Sequence, residues 1–282
     1  MGASGVQWYV PITPSAAVPV APACGSSRRA TLICMVGRLL PALFFIAYLG
    51  AAQGPLQFEL KRIEKKTPSC VSAFEYPEII SAGSRVARDQ MNAGILRTLL
   101  RRSDWPASES GFRSLNAYSD AFMKDCAAFQ RERQAHPLYE HKLVTIFRYT
   151  PPIISFKVEA DEDGGGVHPF GTSFFVNFEF STGKMIVLSD LLKEGALATL
   201  EAIAEESFRR DHNLSPKESL SEGSFNFPGD HFRLNDNFGV GQTDLVFLFN
   251  TYEIGPGAMG ETQIRIPFQS LNGLLKVGLP AW

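Results

Sequence analysis

The hydrophobic period of this sequence changes near residue 140, and that change constrains the fold more than any other feature. Before it, apolar side chains recur about every fourth residue in residues 84–102 and again from about residue 110, which predicts two amphipathic helices. After it, residues 142–149, 153–160 and 172–180 follow a period of two, which predicts β-strands. This order predicts an α+β fold in which a mainly antiparallel sheet packs with about three helices.

Further elements extend this pattern on both sides. Residues 57–65 are predicted as a first strand, and residues 74–79 as a short extended segment held out of helix by Pro77. Residues 181–184 predict a tight turn that pairs residues 185–188 with the preceding strand. The third helix has a predicted buried face of Leu197, Leu200, Ile203, Ala204 and Phe208. The last predicted strands are residues 232–234, 244–250 and 262–267.

The N-terminal region has the three parts of a secretory signal peptide. Arg38 supplies a short positive region, residues 39–49 an apolar core, and residues 50–52 a small-residue cleavage site. The apolar run of residues 39–52 is shorter than the roughly 20 residues that a membrane-spanning helix needs. We therefore expect cleavage after Ala52 and export to the periplasm or cell envelope. An uncleaved membrane anchor is the alternative, because residues 30–52 are apolar apart from Arg38, which can snorkel.

The chain is accordingly divided into three predicted parts. Residues 1–52 are leader and signal peptide, with residues 1–34 an extended leader or the result of a misassigned start. Residues 53–140 and 141–282 follow as one continuous unit. The mature part has 24 Lys and Arg against 29 Asp and Glu, a net charge of −5. This balance lacks the clustered basic residues of nucleic-acid-binding proteins, so no nucleic-acid partner is predicted, and a membrane partner only if the N-terminal segment is uncleaved.

The cysteines agree with an exported protein. Cys24 and Cys34 lie in the leader, which leaves Cys70 and Cys126 as an even pair in the mature part. In an oxidising compartment such a pair predicts a disulfide. The alternative is two unpaired buried thiols, which pack as small apolar side chains.

Several stretches together resemble known families. Residues 76–79, followed by an amphipathic helix, are similar to the start of domain-of-unknown-function family 4163. Residues 164–169 (Gly-Gly-Gly-Val-His-Pro), 177–184 and 188–192 are similar to its Gly-Gly-Ala-His segment, hairpin and following helix. Residues 245–260, with the run Tyr-Glu-Ile-Gly-Pro, and residues 266–271 resemble the signature of companion family 3298. The resemblance covers most of residues 70–275.

The resemblance implies an exported bacterial domain similar to RsiV-like domains and to the non-catalytic N-terminal region of PdaC. It implies a fold and a location more than a task. We therefore expect a cell-envelope binding module whose partner is a cell-wall glycan, peptidoglycan, or a wall-acting protein such as lysozyme. Two alternatives remain: an envelope glycan hydrolase or deacetylase helper, and a membrane-anchored structural protein.

The candidate ligand-binding residues are Gly165, Gly166, His168, Tyr252 and Glu253. A glycine-rich loop and the end of a strand would form one recognition rim if they meet at the same edge of the sheet. Each has a structural alternative, since glycines permit a sharp reversal, a loop histidine is often simply hydrogen-bonded, and the Tyr-Glu segment leads into a turn.

No catalytic residue, metal site or cofactor is predicted. His136 and His141 flank Pro137 and would not share a helical face, and residues 161–164 lack the later ligands of a calcium loop. No nucleophile elbow, phosphate-binding loop or pair of zinc-binding cysteines occurs. The hydrolase alternative would use His168 with Asp161 or Asp163.

Overall fold

The first half of the fold is built on a five-stranded sheet. The computed structural model describes residues 56–101, 111–133, 136–149 and 151–276. The sheet has the order β1 (Gln57–Lys66), β2 (Cys70–Ser81), β3 (Leu138–Arg148), β4 (Ile153–Asp163) and β5 (Phe170–Glu179). Its neighbouring strands are antiparallel except β2 and β3. Those two are parallel because helices α1 (Arg85–Leu99) and α2 (Leu115–Arg133) lie between them in the chain.

A smaller antiparallel sheet completes the fold. It consists of β6 (Phe238–Val240), β7 (Asp244–Phe249) and β8 (Thr262–Pro267), and the longer of the two preceding helices packs against β8. These helices are α3 (Leu188–Leu191), a single turn, and α4 (Leu197–Asp211). Short 3-10 turns occupy Pro228–Asp230, Gly257–Met259 and Phe268–Leu271. The predicted α+β class is confirmed.

Helix α1 shows how local sequence determines an element. Ser84 precedes its first turn in an extended conformation, and the Ser84 hydroxyl accepts a hydrogen bond from the Ala87 amide at 3.0 Å. The predicted stripe of Ala87, Met91, Ile95 and Leu99 is fully buried. It packs on sheet residues such as Phe74 and Phe178 in one hydrophobic cluster.

Two predicted strands differ from the structure. Residues 232–234 are not a strand: Phe232 is apolar because it packs against the rings of Phe208 and Phe227 in the core. Residues 185–188 pair with β5 only through one bridge, between Met185 and Phe178, and helix α3 begins three residues later.

Strand β2 is twice as long as the predicted extended segment and continues through Pro77. Proline cannot donate a ladder hydrogen bond, so it belongs where a strand has only one partner. Strand β3 pairs with β2 only from Cys70 to Glu75, and Pro77 therefore pairs with β1 alone. Strand β3 itself begins at Leu138, so the predicted parts 53–140 and 141–282 share one sheet.

Asparagine side chains join the two sheets at the outer edge of β5. Asn237 accepts a hydrogen bond from the Phe175 amide at 2.9 Å and donates one to the Ser173 carbonyl at 2.9 Å. Asn250 accepts from the Ser173 amide at 2.6 Å. These amides satisfy backbone groups that an exposed edge strand would offer to another chain.

A disulfide links the start of β2 to helix α2. The sulfurs of Cys70 and Cys126 are bonded, and their Cα atoms are 6.1 Å apart. Both residues are buried with Leu138 in a small cluster beneath α2, next to Phe122 and Phe129. The predicted disulfide is confirmed.

The N-terminal predictions concern a different part of the chain. The signal peptide and the cleavage site after Ala52 lie outside the described residues. Within the described residues, no helix has both the length and the apolar character needed to cross a membrane.

Candidate functional site

One row of side chains across the five-stranded sheet is polar on the face that α2 covers. The strand register places Ser72 opposite Glu140, Glu140 opposite Glu162, and Glu162 opposite Phe170. Directly opposite residues point to the same face of a sheet. The row therefore brings together side chains from four strands that are far apart in the sequence.

Helix α2 closes only one end of this row. The Ser119 hydroxyl of α2 donates a hydrogen bond to the Ser72 hydroxyl at 2.7 Å, and Asp120 binds the Lys65 ammonium at 2.5 Å. Further along the row, beyond Ser72, an open space of about 700 Å³ remains between α2, the sheet and the loop of residues 164–168. We call this space the α2 pocket.

The α2 pocket combines aromatic walls with acidic groups. Its described lining includes five aromatic rings, three carboxylates and one histidine. These residues are Phe112, Tyr118, Phe122, Phe129, Phe170, Asp125, Glu140, Glu162 and His168. A concave site with mostly apolar walls and a few convergent polar groups is the usual form of a ligand-binding pocket.

Glu140 belongs to a buried charged network beneath the pocket. The side chains of Glu140 and Lys142 are each only 2% exposed, and their nearest charged atoms are 3.8 Å apart. The Lys142 ammonium also donates hydrogen bonds to the carbonyls of Leu99 and Arg101 and to the Tyr118 hydroxyl. Burial raises the pKa of Glu140, and the nearby Lys142 cation opposes that rise.

Glu162 and Asp125 differ from Glu140 in having no such network. Glu162 is half-buried on β4 and Asp125 is exposed on α2, and both line the α2 pocket. Among the described residues, neither carboxylate has a hydrogen-bond or ion-pair partner. Their oxygens are therefore available to a ligand.

The loop of residues 164–168 forms a fixed wall of the pocket. Gly165 has a φ of +84°, and a Cβ atom there would lie 2.6 Å from the Phe129 ring, so only glycine fits. The Asp163 carboxylate holds the loop, since it accepts a hydrogen bond from the Gly165 amide at 3.0 Å and lies 2.7 Å from the His136 ring. Gly165 thus has a structural role, whereas Gly166 and His168 line the pocket.

Tyr252 and Glu253, the other two candidate residues, do not line the α2 pocket. Tyr252 is 65% exposed and lines a smaller cleft of about 370 Å³, whose lining includes Pro169 and Phe170. Phe170 is common to the described linings of both spaces, whereas Tyr252 does not line the α2 pocket. The Glu253 carboxylate stabilises its own turn, because it accepts hydrogen bonds from the Asn250 amide at 2.8 Å and the Asn235 side chain at 2.7 Å.

This second cleft is acidic, with Glu159, Asp161 and Glu261 in its lining. Burial and the neighbouring carboxylates raise the pKa of Asp161, which the nearby His141 and Lys157 oppose. Within the described ranges, no group of three or more His, Cys, Asp or Glu side chains is arranged to hold a metal ion. Asp163, a candidate partner of His168 in a hydrolase, is already bonded to His136 and Gly165.

Sequence reasoning missed Glu140 and Glu162 as site residues. The available signal was the alternation Leu138, Glu140, Lys142 and Val144, in which every member is buried. Charged residues at inward positions of a strand indicate a buried polar network or a site. The predicted strand began at residue 142, so Glu140 lay outside the pattern.

Comparison with known proteins agrees with the predicted resemblance to family 3298. Residues 189–269 match the family described as "Protein of unknown function (DUF3298)", so the chain contains a DUF3298 domain. The α2 pocket lies outside these residues. The resemblance to family 4163 stays a prediction. No curated protein matches the sequence.

Two crystal structures share the fold. A DUF3298 family member from Bacteroides fragilis NCTC 9343 has a TM-score of 0.65 at 16% identity, covering 79% of this chain and 95% of its own. A DUF3298 family protein from Pseudomonas aeruginosa PAO1 has a TM-score of 0.59 at 15% identity, covering 79% of this chain and 94% of its own. At these identities the similarity shows the fold alone.

Proposed function

We propose that this protein is an exported binding module of the cell envelope that holds part of peptidoglycan in the α2 pocket. The observation that carries the proposal is the pocket itself, whose described lining combines five aromatic rings with three carboxylates. Sugar rings have apolar faces that pack on aromatic side chains, and hydroxyl groups that donate hydrogen bonds to carboxylates. The α2 pocket offers both kinds of contact at once.

Export is supported by the covalent structure and by the resemblance. Disulfides persist in oxidising compartments, and Cys70 and Cys126 form one in the part of the chain that follows the predicted signal peptide. The predicted resemblance of residues 70–275 to RsiV-like domains and to the N-terminal region of PdaC favours the same location. A wall-acting protein such as lysozyme is a second partner consistent with it.

Processing of the N-terminus tests the location. Mass spectrometry of the protein from its native envelope should find a mature start at or within a few residues of Gln53, because the small residues before it suit signal peptidase. A protein that retains residues 1–52 and stays in the membrane fraction would instead support an uncleaved anchor.

Filling the pocket tests the binding function. Ala121 of α2 lines the α2 pocket, and Ala117 lies one turn earlier on the exposed surface of the same helix. Ala121→Trp should reduce co-sedimentation with purified peptidoglycan at least tenfold, because the indole occupies the ligand's space. Ala117→Trp is the matched control and should sediment like the wild type.

Thermal melting should confirm that both variants are folded. Equal sedimentation of the two variants and the wild type would place glycan binding outside the α2 pocket. Absence of sedimentation for the wild type, together with capture of lysozyme, would transfer the proposal to the protein partner.

A further inference from the structure

We propose that the α2 pocket selects a primary ammonium group, carried by an amino sugar or by a peptide amine. The proposal rests on the proposed function, since it concerns the same pocket, and it specifies the charge of the group that enters. Three observations support it. The lining carries negative charge, Glu140 and Glu162 lie opposite each other on neighbouring strands, and aromatic rings line the walls.

The charge of the lining is negative. Asp125, Glu140 and Glu162 line the pocket, and no Lys or Arg is among its described lining residues. Lys142 lies beside Glu140 on the same face of β3, but Glu162 and Asp125 have no cationic partner among the residues that the structure describes. An anionic ligand would be repelled by this lining, whereas a cation would be attracted.

The pairing of Glu140 with Glu162 is the geometric observation that favours a cationic ligand. These residues lie directly opposite each other on β3 and β4. Like charges at opposite positions of an antiparallel pair destabilise a sheet. Burial raises the pKa of Glu140, and the negative charge of Glu162 adds to that rise. A cation bound beside Glu162 would remove this repulsion, and a neutral hydroxyl group would not.

The aromatic walls favour the same kind of ligand. Ring faces attract cations within about 6 Å of the centroid. The chain already uses two lining rings in this way: the Lys142 ammonium lies 4.4 Å from the Tyr118 centroid, and the Arg133 guanidinium carbon 5.3 Å from the Phe129 centroid. A ligand ammonium beside Glu162 would meet that carboxylate and the ring of Phe170, which lies directly opposite Glu162 on β5 and also lines the pocket.

Calorimetric titration with matched ligands tests the selectivity. The probes are a β-1,4-linked glucosamine tetramer, the corresponding N-acetylglucosamine tetramer, trilysine, and trilysine acetylated on its side chains, all at about pH 6. We expect at least one free amine to bind at least tenfold more tightly than its acetylated form. Tighter binding of the sugar amine assigns the group to the glycan, and tighter binding of trilysine assigns it to a peptide.

Variants separate a specific site from general attraction. Glu162→Gln keeps the shape of the pocket and should weaken amine binding about tenfold. Glu132→Gln is the matched control, because Glu132 is exposed on α2 and does not line the pocket, yet its loss changes the net charge equally. Equal weakening by both variants, or equal affinity for free and acetylated ligands, would overturn the proposal.

Failure of the ammonium site can be distinguished from failure of the proposed function. Peptidoglycan sedimentation that depends on an open pocket, combined with equal affinity for free and acetylated ligands, would retain the binding module and reject the ammonium group. Selective amine binding that Glu162→Gln weakens, without peptidoglycan sedimentation, would retain the ammonium site and reject peptidoglycan.

Discussion

Replacing Lys142 by methionine should lower the free energy of unfolding by about 3–5 kcal/mol, which is the usual cost of leaving a buried charge without its partner. The variant leaves Glu140 buried and uncompensated. It also removes hydrogen bonds from the Leu99 and Arg101 carbonyls at the end of helix α1. Chemical denaturation measures the change.

Two further variants test the cause of this loss. Lys157→Met removes a lysine from the neighbouring strand β4, where the ammonium pairs with Glu159 at the surface, and it should cost less than about 1 kcal/mol. Adding Glu140→Gln to Lys142→Met should recover part of the lost stability, because the unpaired charge disappears. No recovery in the double variant would mean that the lost hydrogen bonds, rather than the charge, account for the effect.

The cost of Lys142→Met should also depend on pH. Burial raises the pKa of Glu140 from its ordinary value of 4.5, so the folded state favours the protonated acid. The contribution of such a group to stability is fully present below its unfolded pKa and is lost as the pH rises through its folded pKa. Lys142→Met removes the cation that opposes this rise, so a charged Glu140 costs more stability in the variant than in the wild type. The difference in the free energy of unfolding between wild type and variant should therefore be smaller near pH 4.5, where Glu140 is more often protonated, than near pH 7.5.

Removal of the disulfide should have an effect of similar size. The bond between Cys70 and Cys126 joins residues 56 apart in the sequence. For a loop of this length, the chain-entropy account gives about 4 kcal/mol of stabilisation. For a domain of this size, that corresponds to a fall in melting temperature of roughly 8–16 °C. Cys70→Ala combined with Cys126→Ala should show this fall in calorimetry.

A chemical experiment complements the double variant. Without reductant, both thiols should resist alkylation, and reductant should lower the melting temperature of the wild type but not of the double variant. Free labelling of both cysteines in the unreduced, folded protein would contradict the disulfide. Because Cys126 also lines the α2 pocket, the double variant should in addition bind ligand more weakly, through displacement of α2.

Local patterns determined much of the fold. The stripe of helix α1 and its Ser84 cap were predictable, since helix period and capping depend on residues within four positions of each other. The α+β class followed from the order of helical and strand periods, and the disulfide from an even number of mature cysteines. The prediction of a strand at residues 232–234 was wrong. Phe232 packs against other aromatic rings in the core and does not pair with a neighbouring strand.

The candidate site was only partly predictable. Gly166 and His168 do line the α2 pocket, as a glycine-rich loop suggests, but Tyr252 lines a separate cleft and Glu253 holds its own turn. These differences arise because the resemblance located segments similar to known families, and it did not show which cavities those segments line. Whether a residue can bind a ligand depends on the surface that it faces. That surface is formed by the packing of elements that are distant in the sequence.

Most helices and strands were predictable from the sequence, because their formation depends largely on near neighbours. The row of Ser72, Glu140, Glu162 and Phe170 was not predictable, because it depends on how the strands pair. That row requires β2 and β3 to pair in parallel after two intervening helices, with a register that a shift of one residue would invert. The acidic floor of the α2 pocket is therefore a product of strand register, which is set by the burial of whole faces rather than by any local motif.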